Sequence, residues 1–87
     1  MQPTEHPTDG LWLTWGANLR GRRNELGLTQ FQLAHAAGVA IGRISDMERG
    51  VSGGSDATKY DIAKALDCEV TDLFTYPSTK QRAEKAS

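Results

Sequence analysis

The chain has 87 residues, a formal net charge of −1 and 24 % charged residues, enough for one domain with one small core and no room for a second. Its single cysteine, Cys68, excludes an intramolecular disulfide, and a reducing, cytoplasmic setting is the expectation. No apolar run approaches the roughly 20 residues of a membrane span, and no signal-peptide core follows the N-terminus.

Residues 1–10, MQPTEHPTDG, hold two prolines and a closing glycine without a period, and read as a disordered leader. The folded unit is expected over residues 11–75. Trp12, Trp15, Leu19, Arg23 and Leu26 fall at steps of three and four, which predicts a first helix over about 12–26 that stops at Gly27. Thr29 and Gln32 have the spacing of a capping box and open a second helix, 30–37, with Leu33, Ala34 and Ala37 inward and Gly38 at its end. A third helix over 41–48 turns Ile44 and Met47 inward and ends before Gly50. Val51 to Ser55 reads as a loop. Ser55 then caps a fourth helix, 56–66, which holds Tyr60, Ile62, Ala63 and Leu66. A short fifth helix is expected near 70–75, and residues 76–87 read as a polar, frayed tail. Nothing alternates with period two, so the class is all-α, with a core of Leu19, Leu33, Val39, Ile44, Met47, Ile62, Leu66 and Phe74.

The charge is unevenly placed. Residues 11–50 carry +2, from five arginines against Glu25, Asp46 and Glu48, whereas residues 51–75 carry −3. A basic half is what a nucleic-acid module presents, although the whole chain is not basic.

The stretch from 26 to 50 resembles the helix-turn-helix of the Cro/repressor family (lambda-repressor-like, xenobiotic-response-element type). Leu26-Gly27-Leu28-Thr29-Gln30 precedes Leu33-Ala34, then Ala37-Gly38-Val39, Ile44-Ser45 and Glu48-Arg49-Gly50. Ile62-Ala63-Lys64-Ala65-Leu66 and Asp72-Leu73-Phe74 continue the pattern, so the resemblance covers about residues 14–75. It implies a five-helix lambda-repressor-like DNA-binding domain in a bacterial, phage or mobile-element transcription regulator of repressor or Cro-like type. The second helix of the pair, 41–48, would read the major groove, whose width matches a helix.

On that resemblance Ala40, Ile41, Gly42, Arg43 and Asp46 lie on the readout face, and Gln30 opens the preceding helix against a phosphate. Arg20, Arg22 and Arg49 are candidate backbone contacts. Arg23 and Glu48 stand where the family has a partly buried ion pair; the alternative is two solvated charges worth about 0–1 kcal/mol. The double-stranded operator is the expected partner. Useful specificity from so few contacts calls for a homodimer on two half-sites about 34 Å apart, through the fifth helix and the segment after Phe74.

The readout face departs from the pattern. Ile41 and Gly42 replace long polar readers; Ile41 suits a thymine methyl, Arg43 a guanine, and Asp46 repels phosphate but accepts from a cytosine amine. Asp56 and Lys59 put charge where the family is apolar, so Tyr60 is expected to carry more of the packing. These departures support a second reading: a degenerate module that binds a protein partner through Phe31, Trp12 or Ile41. Trp12 and Trp15 fit either extra core or such a surface. Catalysis is not expected, since His6 lies in the leader, His35 faces solvent and Cys68 takes an apolar core position. No metal site or cofactor is expected either.

Overall fold

The computed structural model describes residues 7–76. Five helices and no strand occur among them: α1 (Pro7–Glu25), α2 (Gln30–Ala37), α3 (Ile41–Glu48), α4 (Asp56–Ala65) and α5 (Val70–Leu73). Trp15, Leu19, Leu33, Ile44, Met47, Ile62, Leu66, Leu73 and Phe74 are buried together, with Ala34 and Ala63 allowing close helix approach. Val39 is only partly buried against this cluster.

Helix α1 begins earlier than expected. Residues 7–10, assigned to the leader by composition, form its first turn; residues 1–6 lie outside the described residues. Proline at the first helical position is compatible with a helix start, because its fixed φ suits the helix and its missing N–H would be unbonded there anyway. Gly10 costs that turn propensity without stopping it. At the other end Gly27 takes φ +70°, and the Leu28 N–H donates to Arg23 O at 3.0 Å. That left-handed turn carries Leu26 out of register with the helix face, and it is exposed rather than packed.

The C-terminal segment is fastened to α1. Trp15 Nε1 donates to Thr75 O at 2.7 Å, and Asn18 Nδ2 donates to Leu73 O at 2.9 Å. The Trp15 ring stands edge-on to Phe74 and also to Tyr76, with centroids 5.5 and 5.3 Å away. Tyr76, assigned to the tail by sequence, therefore packs on the domain; residues 77–87 lie outside the described residues.

Two expectations about α4 and the turn after it are corrected. Tyr60 is 57 % exposed and does not carry packing. Lys59 does instead: it is only 8 % exposed, and its Nζ lies 4.0 Å from the Trp15 ring centroid. A lysine stem is apolar, and an aromatic face accepts the ammonium, so a position that wants an apolar residue can hold this one. Cys68 is half-buried rather than core. Burial is the largest influence on its thiol and pushes the pKa up; Asp72 and Asp67 add to this and Arg22 opposes it.

Candidate nucleic-acid interface

The helix pair α2–α3 is set by its ends. The Thr29 hydroxyl accepts from the Gln32 N–H at 3.0 Å, and Gln32 Oε1 accepts from the Thr29 N–H at 2.9 Å, which fixes where α2 starts. Gly38 has φ +73°, a conformation that a Cβ would strain, and the Val39 N–H returns to Ala34 O at 3.0 Å. The chain then reaches α3 through Ala40, which makes no side-chain cap bond.

The angle between the elements is held by Glu48, whose side chain is fully buried at the end of α3. Arg23 of α1 donates to it from Nε at 2.5 Å and from Nη2 at 2.9 Å. Gln30 Nε2, at the start of α2, donates at 3.1 Å, and Arg20 Nε at 3.4 Å. Arg23 also donates from Nη1 to Leu28 O at 2.8 Å, binding the α1–α2 turn. Burial alone would raise the Glu48 carboxyl; the hydrogen bonds from Arg23, Gln30 and Arg20 and the charge of Arg23 outweigh it and hold the pKa below the ordinary value. Arg23 moves the opposite way, raised chiefly by its hydrogen bond to Glu48. One carboxylate thus joins three helices. A further close approach comes from Gly16, where a Cβ would lie 2.5 Å from Met47 O and 2.6 Å from Glu48 O, so α1 crosses α3 backbone to backbone.

With Ile44, Met47 and Glu48 turned inward, the opposite side of α3 is open. Ala40, Ile41, Gly42 and Arg43 are exposed there, and a Cβ on Gly42 would meet nothing within 4 Å. Asp46 is half-buried, and Arg49 Nη2 donates to its Oδ1 at 2.6 Å.

The other sequence candidates fall into separate places. Gln30 and Arg20 reach toward Glu48, so both belong to the scaffold that aims α3. Arg22 is turned away from this group: Nε donates to Leu66 O at 3.0 Å and Nη2 to Asp67 O at 3.3 Å, at the end of α4. Neighbouring residues on a helix point about 100° apart, so Arg22 and Arg23 cannot serve one face. Phe31 stands 67 % exposed on α2, and Ile41 46 %. Trp12 is half-buried and packs on the backbone at Gly53, where a Cβ would collide with its indole nitrogen. His35 is exposed, His6 lies outside the described residues, and no three His, Cys, Asp or Glu side chains cluster in metal-binding fashion among the described residues.

Sequence reading missed the part that Arg20 and Gln30 play around Glu48. A signal existed for the first of these, since Arg20 and Arg23 are three apart and share a helix face. It also missed Gly16 and the burial of Lys59. Nothing local marks a glycine needed by another helix's backbone, or a lysine that will find an aromatic face.

The family model described as helix-turn-helix matches residues 19–73, which spans α2 and α3 and the helices that brace them. The chain belongs to the helix-turn-helix family. This helix-turn-helix protein is 33 % identical to the restriction-modification controller protein C.AhdI from Aeromonas hydrophila, with a TM-score of 0.70 over 72 % of this chain and 96 % of that one. It is 30 % identical to the clp gene regulator ClgR from Corynebacterium glutamicum, with a TM-score of 0.72 over 92 % of this chain and 85 % of that one. A second ClgR structure gives 33 % identity and a TM-score of 0.71 over 80 % and 90 % of the two chains. No match was found among curated proteins. No helix among the described residues is long and apolar enough to cross a membrane.

Proposed function

We infer that this DNA-binding transcription regulator reads an operator by laying the start of α3 in the major groove, and that it acts as a repressor by occupying that site. One observation carries the reading: Arg43 stands exposed on the outward side of α3 and, among the described residues, has no ion-pair or side-chain hydrogen-bond partner. Each of the other four arginines among the described residues is engaged, at Glu48, at the end of α4 or at Asp46. A free planar fork on a helix aimed outward is suited to the N7 and O6 acceptors of guanine. Ile41 offers a thymine methyl an apolar surface. Arg20, about half exposed beside the start of α2, is the arginine best placed to follow the phosphates, while Arg22 is withdrawn from that role by its bonds to α4.

The readout surface is short, and a homodimer on two half-sites about 34 Å apart would double it. The unit is the expected 11–75 extended at one end by the first turn of α1, from Pro7, and at the other to Tyr76.

The test is a gel shift on DNA flanking the protein's own gene, repeated over a salt series. Binding should weaken linearly in log–log form as phosphate contacts release counterions. Arg43→Ala should cost roughly 1–3 kcal/mol on the cognate site and relax its preference. No binding at low salt would overturn the reading.

One observation favours a second reading, a protein partner at the same surface: Phe31 is a large apolar side chain left 67 % exposed. There the salt slope for DNA would be near zero. Phe31→Ala or Ile41→Ala would abolish partner binding while the fold survives.

A further inference from the structure

Asp46 is the odd residue on a surface that would meet phosphates, and its surroundings give it a task. It lies one helical turn after Arg43 and one turn before Arg49, the residue that caps α3, so it neighbours both. Its Oδ1 accepts from Arg49 Nη2 at 2.6 Å, and among the described residues no hydrogen bond reaches its Oδ2. The side chains of this pair are 48 % and 59 % exposed, and such ion pairs add little to stability.

What the pair does do is geometric and electrostatic. Arg49 fixes the rotation of the carboxylate and cancels its charge, so the group can approach DNA while one oxygen stays free to accept. The helix advances about 4.5 Å over three residues, close to the roughly 3.4 Å step between base pairs. With α3 lying along the groove, that spacing suits Arg43 and Asp46 to neighbouring pairs. A guanidinium fork fits guanine, and a carboxylate accepts from the N4 amino group of cytosine, the complementary donor in the groove.

We propose that Asp46, held by Arg49, selects a cytosine in the base pair next to a guanine selected by Arg43. This rests on the groove-reading function inferred above. In it Arg49 is a positioning residue that acts through Asp46, not a phosphate contact.

The experiment is selection of the full-length protein against a pool of randomised duplexes at low salt, followed by sequencing. The unaltered protein should enrich a half-site with guanine and cytosine in adjacent pairs. Asp46→Asn should move the preference at the cytosine position to adenine, because an amide can donate to N7 and accept from the N6 amino group, with the guanine preference intact. Arg49→Ala should lower the cytosine preference about tenfold, and Arg49→Lys should restore most of it. The proposal is overturned if Asp46→Asn leaves that base unchanged, or if Arg49→Ala weakens every sequence equally. A different base enriched by the unaltered protein at that position overturns this assignment alone. Failure to enrich any motif overturns the groove-reading function and this proposal with it.

Discussion

Arg23 and Glu48, 25 residues apart in the chain, meet through two hydrogen bonds at 2.5 and 2.9 Å, with the carboxylate fully buried. They link the end of α1 to the end of α3, and Gln30 brings in the start of α2. The orientation of the outward helix therefore depends on an ion pair that touches no ligand.

Removing one partner of a buried pair leaves the other charge stranded. Arg23→Ala should cost about 3 kcal/mol in urea unfolding. Arg22→Ala loses only part-buried and exposed bonds to Leu66 O, Asp67 O and Glu25, and should cost about 1 kcal/mol. Equal, near-zero effects of the two changes would count against the scaffold role of Arg23.

The same carboxylate makes stability fall in acid. The Glu48 pKa is lower folded than its unfolded value near 4.3, so its contribution is complete above about pH 4.3 and is lost as pH falls toward the folded value. Glu48→Gln should start less stable at pH 7 and lose less as pH falls below about 4.3. Unfolding midpoints across pH check this, and parallel curves for the two proteins would contradict it.

Lys59 is a core residue that carries a charge. Lys59→Met keeps the stem's volume and should change stability by less than about 1.5 kcal/mol. Lys59→Glu would place a carboxylate over the Trp15 and Phe74 rings, 4.0 and 5.7 Å from their centroids, and should destabilise by about 2 kcal/mol or more. Tryptophan fluorescence in a Trp12→Phe background, where Trp15 alone emits, gives a local readout besides thermal unfolding.

Two glycines of α1 should respond in opposite directions to the same substitution. Gly16→Ala would push a methyl into Met47 O and Glu48 O, separating α1 from α3, and should cost about 3 kcal/mol. Gly21→Ala meets nothing within 4 Å and should stabilise the helix by about 0.5–1 kcal/mol. Thermal denaturation of both variants decides it.

The Cys68 thiol is pushed up by burial and by Asp72 and Asp67. Since the thiolate is the reactive form, labelling at neutral pH should run several-fold slower than for a free thiol and speed up with alkali. Asp72→Asn should hasten it. Labelling as fast as in the unfolded chain would contradict the assignment.

Local signals were legible because local physics sets them. The capping box at Thr29, the cap at Ser55 and the left-handed turns at Gly27 and Gly38 are satisfied within a few residues, so the α2 and α3 boundaries could be read from the chain. The apolar periodicity likewise exposed Leu19, Leu33, Ile44, Met47, Ile62, Leu66 and Phe74 as core. Composition misleads at 7–10, where proline and glycine suggest a break although a proline is admissible in a first turn.

Sequence by itself determined the helices and the turn between α2 and α3, because each is set by backbone bonding and helix period, and its family resemblance implied the outward placement of Ile41, Gly42 and Arg43. Tertiary structure alone decided which arginine among the described residues remains free. Arg20, Arg22, Arg23, Arg43 and Arg49 have the same chemistry, and their spacing did not say that Glu48, the carbonyls ending α4 and Asp46 would take four of them. It likewise decided that Lys59 is core and Tyr60 is not, since the ring that receives the lysine comes from Trp15, 44 residues away. Partners so distant in sequence leave no periodic trace, and only the packed fold brings them within reach.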